Sequence, residues 1–296
     1  MGDARNNDVG GGSMGLSLSF GSEAPSFRIF NSCFVKDDIA IHSKGVEMRG
    51  QRKSFTVAPE ELTLGPIIGK GFSSYVQQAI HKPTGTKLAL KVINAFEKVK
   101  RDQLVKEIKT LYDASSKNIV TFYGAFYRDG AISIALEYMD GGSLSNVVQQ
   151  VGPVPERVIA NMAFQMLAGL AYMKKETRVH RDIKPENLLI NSEGFVKLTD
   201  FGVSSLVNGT NDMCGTFVGT FLYMSPERIQ NKPYSYTSDI WSFGLVLIFL
   251  ATGRYPYPRS DSYIEMVQTI LESPVPRLPD GFVAACLRAD APPRCC

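Results

Sequence analysis

The chain has 296 residues, of which 44% are hydrophobic and 21% charged, and its net charge at pH 7 is +3. These proportions are ordinary for a globular protein and exclude a wholly disordered chain. The longest apolar run, near residues 245–251, is far shorter than the roughly 20 residues that a membrane span requires. The sequence contains no block of basic residues of the kind that would indicate nucleic-acid binding.

The cysteines indicate a reducing compartment. Five cysteines occur without any Cys-x-x-Cys pair, which argues against a zinc site or a disulfide framework. The N-terminus also lacks the basic segment and apolar stretch of a secretory signal. We therefore expect a cytoplasmic protein, with the nucleus as the alternative.

The first 61 residues differ in composition from the rest. Residues 1–26 are rich in Gly, Ser, Asn and Asp and cannot bury enough apolar surface to order the chain, so we predict a disordered tail. Residues 27–61 form an N-terminal extension. Within it, residues 34–41 predict two short strands around an acidic turn. The polar and basic residues 47–60 are interpreted as a linker.

An antiparallel sheet with one helix is predicted next. Five short apolar runs separated by turns have the pattern of strands. They are residues 64–68, 74–80, 87–92, 119–126 and 131–138. Between the third and the fourth, residues 96–114 carry Leu104, Ile108 and Leu111 at helical spacing.

The remainder of the chain is mainly helical in pattern. Residues 157–175 form a long amphipathic stretch, and residues 237–252 form a more apolar helix that ends at Gly253. A sheet followed by helices predicts an α+β fold with two unlike lobes rather than alternating βαβ units. The predicted lobes are residues 62–139 and 140–296.

An ordered set of motifs resembles those of the eukaryotic protein kinases. The set comprises Gly69-x-Gly71-x-x-Ser74-x-Val76, Ala89-Leu90-Lys91, His180-Arg181-Asp182-Ile183-Lys184-Pro185-Glu186-Asn187, Asp200-Phe201-Gly202 and Ser225-Pro226-Glu227. The resemblance covers about residues 62–294. It implies the two-lobed kinase fold, with ATP and Mg²⁺ as cofactors. Ser74 stands where the family usually has a third glycine.

The roles implied by the resemblance follow the chemistry of phosphoryl transfer, which depends on positioning and on charge neutralisation. Asp182 would orient the attacking hydroxyl and accept its proton, and Lys184 would place a positive charge near the transferred group. Asn187 and Asp200 would bind Mg²⁺. Taken singly, each aspartate has an ordinary alternative as a turn or cap residue.

Lys91 and the nucleotide site form the second part of the implied machinery. Lys91 would bind the α- and β-phosphates and pair with Glu107, 16 residues later, although Glu97 is a competing partner and a solvated edge-strand lysine is the ordinary alternative. The glycines would let a turn approach the phosphates closely. The residues implied to contact ATP are Ile68, Gly69, Lys70, Gly71, Val76, Ala89, Lys91, Leu136, Glu137, Met139 and Leu189.

Two longer stretches resemble the MAP kinase kinases in particular. Residues 217–228 resemble the segment before that family's substrate pocket, and residues 132–144 resemble its hinge. There, Leu136 would stand behind the adenine, and Glu137 and Met139 would offer it backbone groups. The family implies a dual-specificity enzyme that phosphorylates Thr and Tyr in the activation loop of a downstream MAP kinase. It also implies activation by an upstream MAP kinase kinase kinase.

The activation segment suggests two phosphorylation sites. Thr216 stands where the family carries its second phosphorylated residue. The animal-type spacing would place the first at Asp212, whereas the spacing typical of plant members places it at Thr210. We therefore predict phosphorylation at Thr210 and Thr216, with ordinary polar loop residues as the alternative.

Several other residues match structural positions of the family. Asp239 would hold the backbone around His180 and Arg181, and Glu227 would pair with Arg294. An apolar column between the lobes would consist of Leu111, Phe122, His180 and Phe201.

A docking motif for MAP kinases is a further possibility near the N-terminus. A basic cluster at Arg49, Arg52 and Lys53 precedes the apolar pair Phe55 and Val57 and roughly fits such a motif. A segment that feeds the first strand of the lobe is the preferred alternative.

The end of the chain keeps a second class of function open. Kinases of this family usually continue for several tens of residues beyond the position of Arg294, and we expect the shortened C-lobe to leave apolar surface on the helix at residues 237–252 uncovered. The alternative function is therefore an ATP-binding but catalytically weak scaffold or competitor.

Overall fold

The computed structural model describes residues 28–30, 33–50, 54–71, 74–94, 98–201, 221–233, 235–258, 260 and 262–278. The predicted disordered tail at residues 1–26 and the predicted phosphorylation sites Thr210 and Thr216 lie outside these residues. Within the described ranges, no helix has the length and apolar character needed to cross a membrane.

The chain before Leu62 folds as an antiparallel sheet, here called the extension sheet. Its strands, in spatial order, are β1 (Arg28–Phe30), β2 (Cys33–Lys36), β3 (Ile39–His42), β4 (Gly45–Met48) and β5 (Ser54–Thr56). β2 and β3 form the hairpin predicted over residues 34–41. Asp37 lies in its turn with a left-handed φ of 54°, a conformation that aspartate adopts more readily than most residues.

The prediction of a linker over residues 47–60 is wrong. The end of β4 and the whole of β5 fall within this stretch, and Phe55 of β5 pairs with Val46 of β4. The polar neighbours of Phe55 disguised a strand because its stability depends on contacts with distant parts of the chain.

The docking motif considered for the same segment does not fit the fold. Its apolar positions face the interior: Val57 is 4% exposed, and the ring of Phe55 packs between those of Tyr112 and Phe122. Arg52 and Lys53 lie outside the described residues.

The N-lobe is a second five-stranded antiparallel sheet with one long helix. Its elements are β6 (Leu62–Lys70), β7 (Ser74–His81), β8 (Thr86–Asn94), α1 (Lys98–Tyr112), β9 (Phe122–Arg128) and β10 (Ala131–Glu137). The spatial order of the strands is β6-β7-β8-β10-β9. β9 begins later than the predicted strand at residues 119–126, because Ile119 and Val120 bond instead to Leu198 of the other lobe.

The C-lobe contains helices and one short hairpin among its described residues. They are α2 (Leu144–Val151), α3 (Glu156–Lys175), β11 (Leu188–Ile190), β12 (Val196–Leu198), α4 (Pro226–Ile229), α5 (Tyr236–Thr252) and α6 (Tyr263–Glu272). The Ser235 hydroxyl caps α5 by accepting from the backbone of Thr237, and Gly253 ends the helix with a left-handed φ of 73°.

One large core joins these parts. Buried side chains of the extension sheet, α1, β9, β10 and the C-lobe belong to the same cluster, and a smaller cluster lies beneath β6, β7 and β8. An apolar cavity of about 360 Å³ remains beside α5, lined by Trp241, Leu245 and Ile248 of that helix and by Val275 and Leu278. The helix on which uncovered apolar surface was expected thus borders an open cavity.

Candidate active site

Lys91 lies in the middle of β8 and reaches two carboxylates. Its Nζ donates to Oε1 and Oε2 of Glu107 on α1, at 2.8 and 3.0 Å, and it also donates to Oδ1 of Asp200. Glu107 is 1% exposed. The β8 strand, helix α1 and the segment after β12 therefore meet at one charged cluster.

Burial and mutual attraction set the charges of this cluster. Burial raises the pKa of Glu107 to about 7. The positive charge of Lys91 lowers this pKa, and the negative charge of Asp200 raises it, but burial has the largest effect. Burial alone would lower the pKa of Lys91, but the Asp200 and Glu107 carboxylates hold it above its ordinary value. The pKa of Asp200 is lowered because Lys91 outweighs the effect of burial. Lys91 therefore carries its charge at any physiological pH.

The loop before β11 brings three further site residues together. Lys184 Nζ donates to Oδ2 of Asp182 at 2.9 Å, and Asn187 Nδ2 donates to the same oxygen at 2.7 Å. Asn187 Nδ2 also donates to the backbone carbonyl of Asp182 at 2.9 Å. The amide nitrogen of Asn187 thus fixes the catalytic loop, which leaves its side-chain oxygen as the atom suited to a metal ion.

The side chain of His180 supports this loop from the buried interior. Its Nδ1 accepts a hydrogen bond from the Asp182 backbone N–H at 3.3 Å, so its Nε2 carries the proton and donates to the Thr199 carbonyl at 3.0 Å. Burial lowers the pKa of His180, against the raising effects of Asp239 and Asp182, which keeps the ring neutral. The ring centroid lies 5.0 Å from that of Phe201.

Asp239 at the start of α5 anchors the same loop. Its Oδ2 accepts from the His180 backbone N–H at 2.8 Å, and its Oδ1 accepts from that of Arg181 at 2.9 Å. Arg228 Nη1 donates to the Arg181 carbonyl at 2.6 Å. Arg181 has a positive φ of 71°, and these anchors help to hold this backbone conformation, which is costly for residues other than glycine.

The hinge end of β10 carries a second polar network. Leu136 is 6% exposed and pairs with Ala89 of β8. The side chain of Glu137 accepts from Lys197 Nζ at 2.8 and 2.7 Å, and its Oε2 also accepts from the Thr121 hydroxyl at 2.8 Å. β10 is therefore tied to β12 across the cleft between the lobes.

The remaining residues predicted to contact ATP surround this cleft. Gly69 pairs with Val76 across β6 and β7, and the Gly71 N–H donates to the Ser74 carbonyl at 2.7 Å. A Cβ at Gly71 would lie 3.0 Å from the Ser74 hydroxyl, so the turn leaves little space for a side chain. Lys70 is exposed, Val76, Ala89 and Leu189 are half-buried, and Met139 is buried. Ile68 is 48% exposed.

Comparison with known proteins agrees with this geometry. The protein kinase domain profile matches residues 62–280. Mitogen-activated protein kinase kinase 2 of Arabidopsis thaliana is 39% identical over 290 residues, covering 89% of this chain and 80% of that protein. Mitogen-activated protein kinase kinase SIPKK of Nicotiana tabacum is 44% identical over 240 residues, covering 76% and 67%. The chain belongs to the MAP kinase kinases.

A third relative differs in length. Mitogen-activated protein kinase kinase 3 of Arabidopsis thaliana is 45% identical over 256 residues, which cover 82% of this chain. These residues are 49% of that relative, so the chain spans about half its length. The kinase family and the α+β fold predicted from the sequence are thus confirmed.

The site of this MAP kinase kinase fits a nucleotide and a divalent cation. Asn187 and Asp200 offer oxygen atoms of the type that Mg²⁺ prefers, and both lie beside the loop that carries Asp182. Lys91 and Lys184 supply the positive charge that phosphate groups require.

Two ion pairs at the cleft of this MAP kinase kinase were not predicted from the sequence. The first is the pairing of Lys91 with Asp200, residues that lie 109 positions apart. The second is the Lys197–Glu137 pair, separated by 60 positions. No local pattern marks either contact, since each depends on how the lobes pack. Glu227, expected to pair with Arg294 outside the described residues, accepts from the Ser238 hydroxyl at 2.5 Å.

Proposed function

We propose that this chain transfers the γ-phosphoryl group of ATP to a Thr and a Tyr in the activation loop of a downstream MAP kinase. The convergence of Lys91, Glu107 and Asp200 on one side of the cleft, with Asp182 on the loop beside it, carries the proposal. This cluster combines charge neutralisation with a base, as phosphoryl transfer requires.

Each residue has a distinct part in the proposed reaction. Lys91, held by Glu107, binds and orients the nucleotide phosphates. Asp182 accepts a hydrogen bond from the substrate hydroxyl and takes its proton as the oxygen bonds to the γ-phosphorus and the bond to the ADP leaving group breaks. Lys184 stabilises the negative charge on the transferred group. Mg²⁺, when bound at Asn187 and Asp200, neutralises phosphate charge.

The proposed activation step is phosphorylation of Thr210 and Thr216 by an upstream MAP kinase kinase kinase. The spacing of the two threonines before residues 217–228 supports it. Each phosphate adds about −1.5 to −2 charge, and Arg181 beside the catalytic loop is a suitable counter-charge. Phosphosite mapping after treatment with an upstream kinase tests this step, and modification of neither threonine would contradict it.

The test of function uses the whole chain, activated by an upstream kinase. It is incubated with Mg²⁺-ATP and a catalytically inactive MAP kinase, and the phosphates are located by mass spectrometry. We expect phosphate on both Thr and Tyr of the substrate loop, formed about a thousandfold more slowly by the Asp182→Asn variant. Absence of transfer by a chain modified at both Thr210 and Thr216 would favour the alternative, an ATP-binding scaffold.

A further inference from the structure

The acidic turn of the extension sheet contacts helix α1. Asp37 and Asp38, between β2 and β3, both form ion pairs with Lys109 of α1. The distance from Lys109 Nζ to Asp37 Oδ2 is 3.8 Å, and Asp38 lies closer. Lys109 follows Glu107, which binds Lys91, by two positions on the same helix.

An aromatic contact joins the same sheet to the end of the helix. The ring of Phe55 in β5 lies 4.9 Å from that of Tyr112, the last residue of α1, at an interplanar angle of 75°. It also lies 5.0 Å from Phe122 of β9. Edge-to-face pairs of this kind are favourable and directional. The extension sheet therefore contacts the last turn of α1 at two positions, Lys109 and Tyr112.

The close approach to β9 makes this sheet a firm support. Gly124 of β9 has a φ of 148°, and a Cβ there would lie 2.9 Å from Cγ2 of Val57 and 3.4 Å from Cβ of Phe55. Val46 of β4 and Ile39 and Ile41 of β3 are fully buried. An exposed loop would be a weak anchor for a helix, whereas these buried strands restrict movement of the Asp37–Asp38 turn.

We propose that the extension sheet is a built-in positioning element for α1 and that Lys109 is its positioning residue. Because an α-helix moves nearly as a rigid body, displacement of Lys109 and Tyr112 carries Glu107 with them and weakens its pairing with Lys91. The sheet thereby biases the helix toward the arrangement in which Lys91 is held for the nucleotide phosphates. This role rests on the proposed phosphoryl transfer and adds a determinant outside the cleft.

The magnitude of the ion-pair contribution is modest. The side chains of Lys109, Asp37 and Asp38 are 29%, 40% and 43% exposed, so water screens their attraction. Reversing the charge of Lys109 replaces attraction with repulsion from two carboxylates, which enlarges the effect. We expect Lys109→Glu to weaken Mg²⁺-ATP binding and to lower kcat/KM for ATP, each by about tenfold.

A matched control separates positioning from general stability. Lys44 lies in the turn between β3 and β4 of the same sheet, and its side chain is exposed. Lys44→Glu therefore reverses the same charge in the extension sheet and is expected to bind Mg²⁺-ATP like the unmodified chain. Melting temperatures are measured for both variants, and the comparison is made at a temperature where both are folded.

A triple variant with the charges of the ion pair exchanged tests whether nucleotide binding is restored. The variant Asp37→Asn/Asp38→Lys/Lys109→Glu restores attraction with exchanged signs, and asparagine keeps the left-handed conformation at position 37. We expect it to recover most of the nucleotide affinity. Affinity in Lys109→Glu equal to that of Lys44→Glu would overturn the proposal, as would a loss that the reversal fails to restore. Nucleotide affinity is read without substrate, so failure of the proposed phosphoryl transfer would be seen separately, as absent transfer by the unmodified chain.

Discussion

Lys197 donates hydrogen bonds to both carboxylate oxygens of Glu137, at 2.8 and 2.7 Å. Lys197 lies on β12 of the C-lobe, and Glu137 is the last residue of β10 in the N-lobe. The two side chains are 13% and 20% exposed. This pair therefore joins the two lobes at the hinge.

Loss of this pair should destabilise the fold. Burial would raise the pKa of Glu137, but hydrogen bonds from Lys197 and Thr121 lower it. Lys197→Met removes the stronger partner, so we expect a loss of about 1–2 kcal/mol in the free energy of unfolding at pH 7. Because the native pKa of Glu137 is depressed, its contribution is present above its unfolded pKa of about 4.3 and is lost as the pH falls below it.

Denaturant unfolding at pH 7 and pH 4 measures this effect. The variant should differ from the unmodified chain more at pH 7 than at pH 4. Lys87→Met, at an exposed lysine of β8, is the matched control and should change little. Equal losses at the two pH values would contradict the assignment of the effect to ionised Glu137.

Removal of the catalytic carboxylate should separate chemistry from binding. We expect Asp182→Asn to lower the single-turnover rate by about a thousandfold, since general-base catalysis contributes about 10²–10⁴. Binding of Mg²⁺-ATP, measured by calorimetry, should change little because Lys91 and its partners remain. Glu186→Gln, at an exposed residue of the same loop, is the control. A rate equal to that of the control would exclude Asp182 from the reaction.

His180 should make stability fall in mild acid. Its buried ring is held neutral with a lowered pKa, whereas the unfolded chain takes up a proton near pH 6.5. The unfolded state therefore binds more protons below this value, and stability decreases as the pH falls. We expect His180→Phe to be less stable than the unmodified chain at pH 7.5. Between pH 6.5 and 5.5, its free energy of unfolding should fall by about 1 kcal/mol less than that of the unmodified chain. Chemical denaturation across this pH range measures the effect, with His42→Gln as the control. A pH dependence of unfolding free energy in His180→Phe equal to that of the unmodified chain would contradict the prediction.

Asp239 should affect both stability and rate. It is 4% exposed and accepts from two backbone N–H groups, whereas the side-chain amide in an Asp239→Asn variant would offer only one accepting oxygen. We expect a loss of about 2–3 kcal/mol in unfolding free energy and a lower kcat, because the loop carrying Asp182 loses an anchor. Thermal unfolding and steady-state kinetics measure the two effects. A stable variant with normal kcat would show that Arg228 alone suffices to hold the loop.

The motif residues were predictable because each motif is local in sequence. Asp182, Lys184 and Asn187 occupy one octapeptide, and the helical period places Glu107 on the buried face of α1 with Leu104 and Ile108. Such patterns are read without knowledge of the tertiary contacts. The α+β order of elements was likewise visible from the change of period along the chain.

The contacts that were not predicted depend on packing between distant segments. β5 carries the apolar residue Phe55 among polar neighbours, with Val57 just beyond it, and the partners of Phe55, Tyr112 and Phe122, come much later in the chain. The pairing of Lys109 with the Asp37–Asp38 turn is similarly non-local. Surface charges have no periodicity that indicates their partners, so only the assembled fold identifies them.

The shared core has a consequence for where this protein's unit of folding begins. The family profile starts at Leu62, yet Phe34 and Ile41 are fully buried in the same core as Ile108 of α1. Residues 28–56 and the catalytic region should therefore unfold in one cooperative transition, with comparable amide hydrogen-exchange protection in β3 and α1. We therefore expect the folding unit of this chain to begin before Leu62, where the family profile starts.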